Sequence, residues 1–157
     1  MTTLENVTFD EISIGQSASY TKPVTEKDIL LFAAVSGDVN PVHLDAEFAA
    51  STMFGERIAH GMFTGALVSA ALALELPGPG CIYLGQNLSF RAPVLIGDTI
   101  TVNLEVTAKR DDRKYVTLKC VAVNQHGKKV ATGEANVIAP TEKLVITAPQ
   151  LPEVTVG

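Results

Sequence analysis

The sequence predicts an α+β fold in which a curved antiparallel sheet of about five strands wraps a long central helix. Three observations predict it. Gly61 to Leu76 is a run of 16 residues with almost no polar interruption before Glu75, so a helix there has no solvent face and must be buried in protein. Immediately after Pro77-Gly78-Pro79-Gly80 the apolar spacing changes from helical to alternating. The alternating stretch is then divided by turn-forming segments, the pattern of consecutive antiparallel strands.

The elements follow in order. Residues 1–16 read as a lead-in closed by Gly15, and Ser17 to Pro23 as a short strand. Thr25 is placed to cap a helix, and Glu26 and Asp28 suit its positive end. Ile29, Leu30, Phe32 and Ala33 supply an apolar face, and Gly37 can stop the helix in the left-handed conformation. Residues 38–44 are expected to be a loop, in which Pro41 holds Asn40 extended. Asp45 is expected to cap a short helix through Glu47, Phe48 and Ala49, and residues 53–60 are irregular. The buried helix spans about 61–76, ended by the Pro-Gly pairs.

Four alternating series come next, and each offers an inward face. They are Ile82, Leu84, Leu88 and Phe90; Ile100, Val102, Leu104 and Val106; Val116, Leu118, Cys120 and Ala122; and Ala131, Gly133, Ala135 and Val137. The separators 93–98, 111–113 and 125–127 are expected to form hairpins. The tail from Pro140 holds three prolines and no period, which suits an edge segment or a loose end. The 157 residues form a single predicted domain, with no repeat and no linker.

Composition narrows the function. Charged residues make up 18% of the chain and the net charge is −5, which argues against general binding to nucleic acid or an anionic membrane. Cys81 and Cys120 are the two cysteines; they lack metal-ligand spacing and read as small hydrophobes in a reducing compartment. The N-terminal segment carries Glu5, Asp10 and Glu11 without an apolar core, so it does not read as a secretory signal. The 16-residue apolar run is short for a membrane span. A cytoplasmic protein is expected.

The chemistry concentrates in Ser36-Gly37-Asp38-Val39-Asn40-Pro41-Val42-His43. A carboxylate and an imidazole held by a stiff loop can do general acid–base work on one water near neutral pH. Asn40 between them can orient a reactant or fix the loop. Equally, Asp-Val-Asn-Pro is a good turn sequence, and Asp38 could simply close the turn while His43 fills the core. A second element, Ala59-His60-Gly61-Met62, favours the chemical reading. Gly61 falls in the first turn of the buried helix, where its N–H has no helical partner. Such an N–H, at the positive end of the helix dipole, can hold a carbonyl or oxyanion. The alternative is that Gly61 permits a turn and His60 caps the helix. Gly61, Gly65, Ser69 and Ala73 share one i, i+4 row of small residues, leaving room for a packed backbone or a ligand chain. Ser69, the hydroxyl of that row, either touches substrate or bonds back to the Gly65 carbonyl.

The run Phe32 to Asp45 resembles the signature of the MaoC-like dehydratases, and within them the (R)-specific enoyl-CoA hydratases of the single hot-dog type. Arg57-Ile58-Ala59-His60-Gly61-Met62 resembles that family's lead into its central helix. Ser89-Phe90-Arg91-Ala92-Pro93-Val94, with Gly97-Asp98, resembles the strand and turn that follow. The resemblance runs from about residue 10 to 139. It implies a hot-dog fold, a homodimer, and reversible hydration of trans-2-enoyl-CoA to (R)-3-hydroxyacyl-CoA without metal or redox cofactor. It implies Asp38 and His43 as the catalytic pair, Gly61 as the thioester-binding N–H, and Asn40 and Ser69 on the substrate. The family includes suppliers of hydroxyacyl-CoA to polyester storage.

Coenzyme A carries phosphates, for which Arg91, Lys109, Arg110, Arg113 and Lys114 are candidate partners. Three rival readings remain: an acyl-CoA thioesterase on the same fold, a non-catalytic acyl-CoA-binding module, and a hydratase of branched or hydroxylated acyl-CoA. Under the main reading, Asp38, His43 and the Gly61 N–H must converge on one small reactant.

Overall fold

The chain passes through β1 (Thr3–Glu5), β2 (Ser17–Pro23), α1 (Glu26–Ser36), α2 (Pro41–Leu44), α3 (Ala46–Ala50), α4 (Gly61–Leu74), β3 (Ile82–Phe90), β4 (Thr99–Arg110), β5 (Tyr115–Val123), β6 (Lys129–Ile138) and β7 (Val145–Thr147). The computed structural model describes residues 2–157; Met1, the first residue of the lead-in, lies outside the described residues. Five strands form one antiparallel sheet in the order β2-β4-β5-β6-β3. The inward residues of its middle strands are those the alternation selects. Ile100, Val102, Leu104 and Val106 of β4 and Val116, Leu118, Cys120 and Ala122 of β5 are almost completely buried, as are Ala131, Ala135 and Val137 of β6.

These faces close over α4, whose Phe63, Leu67, Val68, Ala71 and Leu72 are buried against them. Each fully buried Val, Leu or Phe side chain contributes about 1.5–3 kcal/mol, which is why the apolar run becomes the axis of the fold. This is the hot-dog arrangement. Among the described residues, no helix is long and apolar enough to cross a membrane. One stripe of α4 remains uncovered by the sheet: Met62, Ala66 and Ala73 are exposed and Ser69 is half-buried.

Helix α1 starts and stops where its end signals stand. Thr25 and Asp28 form a reciprocal capping box, and Gly37 closes the helix at φ 79°, its N–H bonded to the Ala33 carbonyl. Asp45 caps α3 by accepting the Phe48 N–H at 3.0 Å.

The structure departs from the sequence expectations at several points. Residues 41–44 form one helical turn, not loop, because Asn40 accepts the Val42 N–H and Pro41 presets the first helical position. Helix α4 ends at Leu74, two residues early, with Glu75 as its C-cap. Residues 93–98 do not close a hairpin: β3 pairs with β6, at the opposite end of the sheet from β2. Only the β4–β5 and β5–β6 connections are hairpins between sequential neighbours. Strand β3 also lacks the expected buried face. Ile82, Leu84 and Phe90 are about half exposed, because a bulge between Tyr83 and Gly85 breaks the alternation and β3 is an edge strand. Cys120 is buried, whereas Cys81 is only half-buried.

The tail gains structure from the lead-in. β7 pairs with β1 as a separate two-stranded sheet, and Asn6 joins it to the body. The fully buried Asn6 donates to the carbonyls of Pro79 at 3.0 Å and Glu142 at 2.9 Å. It also accepts the Leu144 N–H at 3.0 Å. Asn6→Ala would orphan these groups and should lower stability by about 1–3 kcal/mol, read as a lower denaturation midpoint in urea at unchanged slope.

A nearby carboxylate carries a pH dependence. The Thr8 backbone N–H, the Lys143 ammonium and the Thr8 hydroxyl hold the Glu11 carboxyl down, from 4.5 to about 2. A depressed folded-state value means that its stabilisation is present above 4.5 and is lost as pH falls through about 2. Carbon-detected NMR titration should place the Glu11 midpoint well below 4.5, and Lys143→Met should raise it.

Candidate active site

Two short segments build the site: the turn from Gly37 to Leu44 and the lead into α4 from Arg57 to Gly61. In the first, Asp38 performs both of the roles its sequence allows. Its Oδ1 accepts the Asn40 N–H at 3.1 Å and closes the turn, while its Oδ2 lies 3.9 Å from His43 Nε2. Asn40 then spends its own Oδ1 on the Val42 N–H at 3.2 Å, which starts α2 and lifts His43 toward Asp38. The Asp38 side chain is half exposed and His43 is buried.

His43 Nδ1 lies 2.8 Å from the Ile58 carbonyl. A carbonyl only accepts, so Nδ1 carries the hydrogen of the neutral ring and Nε2 presents its lone pair to the Asp38 side. The 3.9 Å gap between Nε2 and Oδ2 exceeds a direct hydrogen bond. It suits two acceptors that share one oxygen about 2.8 Å from each.

The second segment holds the first by its backbone. Arg57 Nε donates to the His43 carbonyl at 2.7 Å, and its guanidinium is braced on Glu26 of α1 at 2.8 Å. The Ile58 N–H donates to the Val42 carbonyl at 3.3 Å. His60 Nε2 donates to the Asp38 carbonyl at 2.9 Å. The His60 ring stacks on His43 with centroids 3.8 Å apart and packs on Phe32 of α1 at 4.9 Å. Phe32 in turn meets Phe63 of α4 edge-on at 5.9 Å.

Gly61 is the first residue of α4, and no side chain caps that end. His60 therefore does not cap the helix; its side chain turns back to Asp38. Because His60 contacts both Asp38 and His43 and precedes Gly61, the open end of α4 stands near these two side chains. A Cβ on Gly61 would meet the Phe90 ring at 3.2–3.3 Å, so glycine lets that ring pack close against the head of α4. Gly61 opens onto a cavity of about 380 Å³ that His60, Thr64, Phe90 and Arg91 also line. On the other side of the Phe32–His60 contact, a groove of about 540 Å³ runs along α4 past Phe32, Met62, Gly65, Ser69 and Leu88. Ser69 faces this groove. Both volumes are in the range of small-molecule sites.

Of the cations offered as phosphate partners, four are committed elsewhere. Lys109 donates to the carbonyls of Phe9 and Ile12 at 2.8 and 2.6 Å, tying the lead-in to β4. Arg110 pairs with Asp112, Lys114 with Asp111, and Arg113 lies by the Tyr115 hydroxyl. None of these four lines either cavity; Arg91 lines one of them, its Nε donating to the Thr132 hydroxyl at 3.1 Å. Sequence reasoning missed Arg57 and His60 as parts of the site. Their partners lie 14 and 22 residues away, and nothing in local spacing marks such contacts.

The chain is similar to known proteins in sequence and in fold. The MaoC like domain matches residues 10–137. The chain is 47% identical over 132 residues to the (R)-specific enoyl-CoA hydratase of Rhodospirillum rubrum, covering 84% of this chain and 91% of that one. It is 46% identical over 129 residues to the (R)-specific enoyl-CoA hydratase of Aeromonas caviae, covering 82% and 96%. The solved structure of the R-hydratase PhaJ1 from Pseudomonas aeruginosa, in its unliganded form, superposes with a TM-score of 0.95 at 51% identity, over 99% of this chain and 100% of that one. With its helix-wrapping sheet and its Asp-x-Asn-Pro-x-His turn set against the head of the buried helix, the chain belongs to the MaoC-like dehydratase family.

Proposed function

We propose that the protein is an (R)-specific enoyl-CoA hydratase, a hydro-lyase that adds water reversibly to trans-2-enoyl-CoA. The observation that carries this reading is the paired presentation of His43 Nε2 and Asp38 Oδ2, 3.9 Å apart with Nδ1 of His43 occupied by the Ile58 carbonyl. Two acceptors so placed hold one water by both its hydrogens. One takes a proton as the water oxygen bonds to C3, and the C2=C3 electrons move toward the thioester. The Gly61 N–H receives the resulting negative charge on the thioester oxygen. A proton from the same pair then bonds to C2. Oxygen and proton arrive on one face of the substrate, which is syn addition. Asn40 holds the turn, and the groove along Gly65 and Ser69 takes the acyl chain.

The reaction so written uses no metal or redox group. Asp38, His43 and His60 each bring a candidate ligand atom within 4.8 Å of one another, but His43 Nδ1 and His60 Nε2 are each engaged by a backbone carbonyl. Arg91, beside Gly61 at the cavity wall, is the cation best placed for a coenzyme A phosphate. The two unpaired cysteines fit a reducing cytoplasm.

The working form is a homodimer. Exposed Met62 of α4 and Ile82, Leu84 and Phe90 of β3 make an apolar face beside an unpaired strand edge. Such a face and edge are stabilised by a two-fold copy of themselves.

Crotonyl-CoA tests the reaction. Loss of enoyl absorbance without free thiol is the expected result; free thiol would point to a thioesterase, and binding without product to a non-catalytic module. Asp38→Asn and His43→Gln should each lower turnover by about 10²–10⁴ with the fold retained, and near-normal turnover in both would overturn the assignment. A panel of acyl chains then separates straight from branched substrates. Light scattering should give two chains per particle for the native protein and one for Leu84→Glu, which sets like charges against each other across the two-fold.

A further inference from the structure

We infer that His60 is a positioning residue of the reaction: it holds the Asp38 backbone and the His43 ring in reactive register. This rests on the hydratase reading above. His60 is 2% exposed and its ring packs against those of His43, with centroids 3.8 Å apart, and Phe32, at 4.9 Å. It acts on the reacting groups through its contacts, stacking on the His43 ring and bonding to the Asp38 backbone. Its one hydrogen bond is from Nε2 to the Asp38 carbonyl at 2.9 Å, and Nδ1 is buried without a partner.

That pattern specifies the ring state. Since Nε2–H donates to a carbonyl, the neutral ring leaves Nδ1 as a bare lone pair. A histidine kept only to fill the core has no need of a nitrogen left unsatisfied, which costs free energy. What it supplies here is a donor at one point and a flat face at another. The donor acts where support is scarce. Asp38 follows Gly37, stands in an exposed turn, and has a half-exposed side chain. Its Oδ1 is fixed by the Asn40 N–H, but that bond lies within the turn and moves with it. The bond from His60 is the one that ties the Asp38 backbone to the head of α4, 22 residues away. The flat face does the same for His43, whose ring is also held at Nδ1 by the Ile58 carbonyl. Since His60 is bonded covalently to Gly61, one residue sets the distance between the acid–base pair and the N–H that holds the thioester oxygen.

Three substitutions separate these contributions. His60→Phe keeps a flat ring and removes the donor. His60→Gln places an amide N–H close to the position of Nε2. His60→Asn carries an amide too short to reach the Asp38 carbonyl. A displacement of about 1 Å at a reacting group can cost about 100-fold in rate. We therefore expect kcat on crotonyl-CoA to fall about 10- to 100-fold in His60→Phe and His60→Asn, with KM within about threefold. His60→Gln should recover most of the loss. In an Asp38→Asn background, His60→Phe should cost little more, because a residue acting through Asp38 has nothing left to position. If His60→Phe does not fold, the Gln and Asn pair carries the same comparison.

Native kcat in His60→Phe or His60→Asn would overturn the inference. So would equal losses in Gln and Asn, or a full additional loss in the Asp38→Asn background, since these mark a merely structural ring. Failure of the hydratase reading is distinct: the native protein itself would leave crotonyl-CoA unhydrated.

Discussion

Burial of α4 is the constraint on which the rest of the structure depends. A helix with apolar residues around its whole circumference cannot be left against water, so the sheet must curve over it. Once it is enclosed, its first residue, Gly61, has a fixed place, and so does the segment that leads into it. Arg57, Ile58 and His60 then present donors and a carbonyl at set positions, and the turn carrying Asp38 and His43 docks against them. The order of cause runs from hydrophobic burial to backbone placement to side-chain chemistry.

The site obtains its precision from many short-range contacts, none of them unusual alone. The turn is closed by Asp38 and Asn40 acting on their own backbone, and it is then clamped by a second segment through both side chain and main chain. Helix α1 joins the two, with Glu26 on Arg57 and Phe32 on His60. A loop would ordinarily sample several conformations; here four cross-segment hydrogen bonds and a ring stack select one. Under the proposed reaction, preorganisation of this kind lets the carboxylate and the imidazole act on a single water without rearranging.

The same fold leaves some surface unfinished. The edge strand β3 and the open stripe of α4 carry apolar side chains that the sheet does not cover, and both border the groove beside the site. The surfaces of one helix thus differ in role: its covered side makes the core, its open side faces the groove, and its N-terminal end adjoins the segment that holds the Asp38–His43 turn.

Most of the fold was legible in the sequence, because its signals are local. Alternation marked the inner faces of β4, β5 and β6, and capping residues marked α1 and α3. Their burial and their end geometry follow from residues within a few positions of one another. The expectation failed where long-range pairing decides. Nothing in Ile82 to Phe90 says that its partner is β6, that it lies at an edge, or that a bulge at Tyr83 to Gly85 breaks its alternation. Likewise Asn6 looks like any lead-in residue until Leu144 and Pro79 are brought to it. At the site, the residue types in Asp38-Val39-Asn40-Pro41-Val42-His43, together with Gly61 at a helix start, were readable as chemistry from the sequence alone, because each answers to a local geometric demand. Which nitrogen of His43 is free, what Arg57 and His60 hold, and where the pair stands relative to Gly61 were decided only in three dimensions. Hydrogen bonds across 14 to 22 residues are set by how the chain folds back on itself, and local sequence does not encode that distance.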